Sequence, residues 1–147
     1  KLEKQEGFYV FGGKNENGEA LNTLKVLSID IDAQELKWSY PATKGQGPAA
    51  RFHHTMQYQA DGNYILIYGG KRENFSHGAC FNDIKLLQFP ELTWVTPIVS
   101  GAISKQRYGH TACLLDGQML VFGGHSKSNY CDNNIEILEL SNYFPLS

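Results

Sequence analysis

Two stretches of the chain, RFHHTMQYQADGNYILIYGG at residues 51–70 and RYGHTACLLDGQMLVFGG at residues 107–124, follow one pattern. Each begins with Arg, reaches a His-Thr pair three residues later, passes an Asp-Gly pair and ends an apolar run in Gly-Gly. Self-similarity at a period as long as the distance from Arg51 to Arg107 is typical of proteins built from several copies of one supersecondary unit.

The same pattern extends outward to most of the chain. Gly-Gly occurs at positions 12–13, 69–70 and 123–124, which are nearly evenly spaced. A polar loop follows each pair, and an apolar segment then begins at Asn22, Asn82 or Asn133. Trp38 and Trp94 have the same separation as Arg51 and Arg107, so each Arg follows its Trp at one fixed distance. The third copy ends at Ser147, before its Trp position is reached.

Each complete unit contains four short apolar segments rich in β-branched and aromatic residues, which indicates strands. In the central unit we predict strands near 52–59, 63–69, 83–89 and 92–97. Asp61-Gly62 and Asp116-Gly117 predict tight hairpin turns, in which Gly tolerates a positive φ. The second strand is apolar at successive positions, so both of its faces should be covered. Repeated four-stranded sheets buried on both faces favour an all-β fold, a β-propeller.

These residues resemble the kelch repeat: a His-Thr strand, Gly-Gly ending the second strand, Asn-Asp-Leu or a similar triplet opening the third, and Trp on the fourth. The resemblance covers residues 1–147 as one partial kelch propeller with no second domain, in blade pieces 1–41, 51–97 and 107–147. It implies closed rings of five to seven blades. Three, four and three strands cannot close such a ring, so we expect the remainder of the propeller to be supplied in cis or by assembly.

Composition excludes several classes of function. The formal net charge is −2 and no long run of one sign occurs, so nucleic-acid binding is not expected. The longest apolar runs, YILIY and MLVF, are far shorter than the roughly 20 residues of a membrane helix. An odd set of cysteines (Cys80, Cys113 and Cys131) without a CxxC motif predicts a reducing compartment and a cytoplasmic location.

Several motifs have both a chemical and a structural interpretation. Gly-Gly lacks the Lys-Ser/Thr and the helix of a phosphate loop, so a structural role at the strand end is favoured. His54 and His110 are possible ligands or bases, but we expect their ring nitrogens to satisfy buried carbonyls and to tie one blade to the next. Trp38 and Trp94 should each pack on the neighbouring blade and are less suited to a surface hot spot.

Metal or nucleophilic chemistry has little support. His77, Cys80 and the loop from His125 to Cys131 contain no zinc-type pair of ligand pairs, and no base is oriented towards a cysteine. We therefore expect no metal, no cofactor and no enzymatic activity. The alternative is that the chain is a piece of a kelch-like propeller enzyme with a metal centre, since the resemblance includes copper-dependent galactose oxidase and iron-using plant specifier proteins.

Long loops are predicted on one face, where the Gly-Gly loops 14–20, 71–81 and 125–132 and the links 42–50 and 98–106 emerge. Arg51 and Arg107 either pair with a carboxylate or carbonyl between blades or line the mouth of the channel. We predict that the chain is a protein-interaction module, a scaffold or adaptor, whose partner is another protein or peptide, with an acidic one favoured. The predicted partner-binding residues are Arg51, Lys71, Arg72, Phe75, Arg107, His125, Lys127 and Tyr130.

Overall fold

The computed structural model describes residues 6–73, 80–97, 104–126 and 133–140, and all regular structure there except Leu140 is β. This part of the chain forms three antiparallel sheets in which neighbouring strands are consecutive in sequence, and the predicted count of three, four and three strands is confirmed. We call these sheets blades 1, 2 and 3. The strands are β1 (Phe8–Phe11), β2 (Leu24–Asp30), β3 (Glu35–Ser39), β4 (Thr55–Gln59), β5 (Tyr64–Tyr68), β6 (Ile84–Gln88), β7 (Thr93–Val95), β8 (Thr111–Leu115), β9 (Gln118–Phe122) and β10 (Ile135–Glu139).

The two predicted hairpin turns differ in their geometry. Leu115 pairs with Gln118 across a two-residue turn in which Asp116 and Gly117 both have positive φ, at 48° and 77°. That combination matches the primed turns whose twist suits hairpins. Blade 2 instead turns over the longer segment 60–63, and the positive φ of 48° lies at Asn63. The prediction that Gly62 supplies the positive φ was wrong, because the longer turn moves that conformation to its last residue.

Strand β5 is buried along its whole length, which confirms that both faces of the central blade are covered. Tyr64, Leu66 and Tyr68 pack towards blade 3, in a cluster with Met119, Val121 and Leu138. The intervening Ile65 and Ile67 pack towards blade 1, in a cluster with Phe11, Leu24 and Trp94. Because side chains alternate along a strand, one continuous apolar run contributes to two separate cores.

The blades are joined by backbone hydrogen bonds at the Gly-Gly pairs. The Gly13 N–H donates to the Arg51 carbonyl at 2.9 Å, and the Gly70 N–H donates to the Arg107 carbonyl at 2.8 Å. Gly69 has a φ of 66°, and a Cβ there would lie 2.7 Å from the Arg107 carbonyl oxygen. The Gly-Gly pair is thus structural, since it allows one blade to approach the backbone of the next.

The two tryptophans differ in burial. Trp94 is 6% exposed and packs edge-on against Phe11 of blade 1, with ring centroids 5.3 Å apart, as predicted. Trp38 is 50% exposed, so the same prediction was wrong for Trp38 in this structure. The physical reason is its position: Trp38 pairs with Leu27 on the face of blade 1 that is turned away from blade 2.

None of the described ranges contains a helix long and apolar enough to cross a membrane.

Candidate partner-binding surface

The two repeated arginines are buried at the entrance of blades 2 and 3. Arg51 is 0% exposed, forms a bidentate pair with Asp83 at 2.7 and 2.9 Å, and donates to the Gly69 carbonyl at 3.0 Å. All of these partners belong to blade 2. The ion pair therefore lies within one blade, whereas the pair considered from the sequence joined two blades. The Arg51 backbone makes the interblade contact instead, because its N–H donates to the Leu21 carbonyl of the link that follows blade 1's Gly-Gly, at 3.0 Å.

Arg107 repeats the arrangement in blade 3. It is 2% exposed, pairs with Glu136 and donates to the Gly123 carbonyl at 3.1 Å. A guanidinium held in this way is surrounded by its own blade and has almost no surface left for a partner. Of the two roles considered for Arg51 and Arg107, the structure therefore favours the intramolecular pair over the lining of the channel mouth. Neither arginine enters the partner-binding surface considered below.

The two repeated histidines tie neighbouring blades together. The His110 Nε2 atom lies 2.9 Å from Thr55 Oγ1 of blade 2, and His54 hydrogen-bonds to the backbone of Phe11 in blade 1. Burial, followed by the nearby Arg51 for His54 and Arg107 for His110, lowers the pKa of each imidazole to about 4. Both rings are therefore neutral near pH 7 and act as interblade links, as predicted, although the partner of His110 is a hydroxyl and not a carbonyl.

A row of lysine ammonium groups and aromatic rings lies at the Gly-Gly end of the blades. Lys14 Nζ is 4.6 Å from the centroid of Phe52, Lys71 Nζ is 4.1 Å from that of Tyr108, and His125 stacks on Tyr108 at 5.4 Å. Lys71 Nζ is also 5.6 Å from the Phe52 ring. We call these five residues the cation–aromatic ribbon. They run without interruption from blade 1 through blade 2 to blade 3.

The repeat explains how the cation–aromatic ribbon arises. Lys14, Lys71 and His125 each come directly after a Gly-Gly pair, while Phe52 and Tyr108 each come directly after the repeated arginine. The Gly-Gly backbone binds the arginine carbonyl of the next blade, so the residue that follows Gly-Gly lies over the aromatic that follows the arginine. Within blade 2 a backbone bridge joins Phe52 to Lys71, and within blade 3 another joins Tyr108 to His125. These bridges extend the strand pairing of each blade beyond the strand ends.

The ammonium groups of Lys14 and Lys71 lower the pKa of a neighbouring histidine, His53. His53 is exposed and lies beside both rings, with centroids 5.1 Å from Phe52 and 6.4 Å from Tyr108. Burial lowers the pKa of His53, and the charges of Lys71 and Lys14 lower it further. The ammonium groups of Lys14 and Lys71 lie together at this end of the blades, so the local electrostatic potential favours anions.

Only part of the predicted partner-binding set can be placed. Lys71 and His125 belong to the cation–aromatic ribbon, and the exposed Arg72 follows Lys71 directly. Phe75, Lys127 and Tyr130 lie outside the described residues. Lys14, Phe52 and Tyr108 were not predicted, although their fixed positions after Gly-Gly and after Arg were visible in the repeat. The predicted set lies mainly in the long loops, whereas Lys14, Phe52 and Tyr108 occupy short repeat positions.

One predicted loop is not a free surface. The link 42–50 runs along strand β7, where the Lys44 N–H donates to the Leu92 carbonyl at 3.0 Å and the Trp94 N–H donates to the Lys44 carbonyl at 2.8 Å. A Cβ at Gly47 would lie 3.2 Å from the indole Nε1 of Trp94. The first interblade link therefore covers the core tryptophan, and residues 98–103 of the second link lie outside the described part of the chain.

The described ranges contain no cluster of side chains that could bind a metal ion. No group of three or more His, Cys, Asp or Glu side chains lies close enough there to hold a metal ion. His77 and Cys131 fall outside those ranges. The alternative of a propeller enzyme with a metal centre stays a prediction, which metal analysis of the purified protein would test.

Comparison with known proteins agrees with the repeat and the fold. The model of the KLHDC2/KLHL20/DRC7 Kelch-repeats domain matches residues 3–143. Human Kelch domain-containing protein 3 is 34% identical over 143 residues, which cover 90% of this chain and 36% of that protein. A probable serine/threonine-protein kinase of Dictyostelium discoideum is 35% identical over 125 residues, which cover 83% of this chain and 9% of the kinase.

The Host cell factor of Drosophila melanogaster is 31% identical over 160 residues, with 92% of this chain and 10% of that protein covered. The chain thus spans about a third of the length of Kelch domain-containing protein 3 and about a tenth of the other two relatives.

Proposed function

This chain belongs to the kelch-repeat family, and from that premise we propose that it is a protein-interaction module whose partner binds across the Gly-Gly end of the blades, on the cation–aromatic ribbon. The observation that carries the proposal is the continuity of this ribbon over three blades, from Lys14 to His125. A row of that kind suits an extended segment of a partner that crosses several blades. The ribbon's cations favour acidic side chains in that segment.

The cations of the ribbon are positioned before a partner arrives. Each lysine ammonium lies over an aromatic face, an arrangement worth about 0.5–1 kcal/mol at exposed sites. Phe52 is buried at 4% exposure and gives Lys14 a fixed floor. Holding a long side chain in one place beforehand reduces the conformational entropy lost on binding, which for such side chains is roughly 0.5–1.5 kcal/mol each. A partner carboxylate would thus meet charges that are already oriented.

The partner would also find apolar contact on the same surface. Tyr108 is partly buried and lies between the Lys71 ammonium group and the His125 ring, so the ribbon offers ring surface beside its charge. Tyrosine is enriched in interface hot spots, where its ring contributes contact area, while nearby charges steer association. We propose that Arg72 widens this surface on the solvent side and that Phe75, Lys127 and Tyr130 extend it from their loops.

Binding of a fluorescent acidic peptide, alternating Glu with Phe, tests the proposal by anisotropy at two salt concentrations. Lys14→Glu and Lys71→Glu should each weaken binding by roughly tenfold and reduce its salt dependence, because each reverses a charge that attracts the peptide. Lys37→Glu is the matched control: it makes the same charge change on exposed strand β3, and the affinity should stay close to that of the unaltered chain.

Two further variants complete the test. Alanine at Phe75 and at Tyr130 should weaken binding while the melting temperature stays nearly constant. Binding that survives all of these changes and is instead lost on substitution of Asp61 and Asp116, at the opposite hairpin turns, would place the partner on the other face and contradict the proposal. Titration of His53 by NMR gives an independent readout, since a bound carboxylate should raise the lowered pKa of that ring.

A further inference from the structure

His53 has a backbone conformation that the repeat gives to glycine in the next blade. Its φ is 56°, and the equivalent residue of blade 3 is Gly109, whose φ is 65°. The two positions are equivalent because each lies two residues after the repeated arginine. They also meet across the blades, since the Gly109 N–H donates to the His53 carbonyl at 2.9 Å. Histidine tolerates this left-handed region better than most residues but less well than glycine, so a side chain is kept here against the backbone preference.

A side chain at this repeat position points away from the blades. Apart from its chain neighbours, a Cβ at Gly109 would meet no atom within 4 Å. His53 is itself exposed, whereas the next residue, His54, is partly buried and hydrogen-bonds to the backbone of blade 1. The interblade link is therefore made by His54, and the imidazole of His53 faces the region where a partner would bind. Backbone strain at such a position is typical of residues kept for function.

The ring of His53 lies among the lysine ammonium groups of the ribbon. Its centroid is 6.4 Å from that of Tyr108, and Lys71 Nζ is 4.1 Å from the Tyr108 centroid. Burial lowers the pKa of His53 from its ordinary value of 6.5, and the charges of Lys71 in blade 2 and Lys14 in blade 1 lower it further. The adjacent His54, whose pKa is lowered to about 4, is neutral. The free His53 ring is therefore mainly neutral at pH 7.

We propose that a partner carboxylate binds between the ammonium groups of Lys14 and Lys71 and accepts a hydrogen bond from protonated His53, so that His53 determines which anionic partners bind. This role rests on the proposed function, because the carboxylate belongs to the acidic segment that crosses the blades. The two lysines attract any anion, whereas a charge-assisted hydrogen bond from the imidazole requires an acceptor in one direction. His53 therefore adds selectivity that the charges of the ribbon alone do not provide.

Binding in this way couples to proton uptake from solvent. A carboxylate beside the ring offsets the charges of Lys14 and Lys71, so the pKa of His53 is higher in the complex than in the free chain. The affinity for the partner should rise as the pH falls through the pKa of the bound ring. The rise should end below the pKa of the free ring, where both states already carry the proton.

Binding of the fluorescent Glu-Phe peptide between pH 8 and pH 5.5 tests the role of His53, in a range that lies above the ordinary pKa of the peptide's glutamates. The affinity should rise by roughly tenfold as the pH falls, because a carboxylate beside a cationic group shifts its pKa by about one unit or more. An affinity that is weakened by Lys14→Glu but does not depend on pH would support the proposed function and overturn this role of His53. A peptide that binds at no pH would contradict both.

Two variants of His53 separate its side chain from its backbone. His53→Gly restores the residue that blade 3 has at this position, so the melting temperature should stay the same or rise, while the affinity at pH 5.5 should fall by roughly tenfold. His53→Asn also tolerates a positive φ but takes up no proton, and its affinity should not depend on pH. His125→Gln is the control, because it removes the histidine that stacks on Tyr108 and should keep the pH dependence.

Isothermal titration calorimetry in buffers of different ionisation enthalpy counts the protons directly. Near pH 6, peptide binding should take up a fraction of a proton in the unaltered chain and in His125→Gln, and none in His53→Gly. Proton uptake that persists in His53→Gly, or that disappears in His125→Gln alone, would overturn the assignment to His53.

Discussion

Replacement of Trp94 by alanine tests how the blades are held together. The indole is 6% exposed, packs edge-on against Phe11 of the preceding blade and is covered by Gly47 of the interblade link. Truncation of a large buried aromatic typically costs about 3–5 kcal/mol, because transfer free energy is lost and a cavity remains. Domains are stable by only about 5–15 kcal/mol, so Trp94→Ala should remove a large share of the free energy of unfolding.

The repeat supplies a matched control for this prediction. Trp38→Ala makes the same substitution at the equivalent position of blade 1, where the indole is 50% exposed. Because half of its surface is already in water, the loss should be at most about 2 kcal/mol. Blade 1 covers Trp94, whereas nothing within the described chain covers Trp38. The difference between the two losses in free energy of unfolding therefore measures the contribution of that burial.

Guanidinium unfolding followed by far-ultraviolet circular dichroism measures both losses. The midpoint should fall strongly for Trp94→Ala and slightly for Trp38→Ala, with similar dependence on denaturant in both. Equal losses for the two variants, or an unchanged midpoint for Trp94→Ala, would show that the arrangement of blades 1 and 2 described here is incorrect.

Three further predictions concern the buried polar groups and the Gly-Gly pairs. Asp83→Ala should destabilise the chain by about 1–3 kcal/mol, because it removes the carboxylate from the buried guanidinium of Arg51, although the Asp83 side chain is itself 36% exposed. Replacing both residues by apolar ones should cost less in the same unfolding assay. As the pH falls from about 6.5 to 4, the melting temperature should fall too. Histidine in the unfolded chain takes up a proton in this range, whereas folded His110, whose pKa is lowered to about 4, does not. His110→Gln should therefore flatten this part of the profile. Gly69→Ala should lower the melting temperature measured by calorimetry more than Gly123→Ala does. The two glycines have similar φ angles, 66° and 68°, but only a Cβ at position 69 would meet the backbone of the next blade. Equal losses would contradict this close approach.

The repeat made the number and order of the strands predictable. Alternation, turn residues and continuous apolarity are local properties, so the pattern at residues 51–70 predicted β4, β5 and the burial of both faces of β5. Exact turn geometry was less predictable: the positive φ at Asn63, directly after Gly62, depends on the length of the pairing between β4 and β5.

The functional surface was predicted only in part, because charge and loop length do not say which groups are satisfied internally. Arg51 and Arg107 had two roles open to them until Asp83 and Glu136 were placed beside them. An arginine at a strand entrance looks the same in sequence whether its carboxylate is within reach or not. Only the folded blade brings these partners, which are far apart along the chain, into hydrogen-bonding distance.

The sequence by itself determined that the chain is built of kelch blades, since the repeat of Gly-Gly, Arg-x-x-His-Thr and Trp needs no knowledge of contacts. Tertiary structure alone decided which equivalent residues become different. Trp38 and Trp94 share one repeat position, yet one is half in water and the other is in the core, because burial depends on whether a neighbouring blade is present. Likewise Lys14 lies over Phe52, and Lys71 over Tyr108, because each Gly-Gly pair binds the next blade's backbone, a contact between residues far apart in the chain.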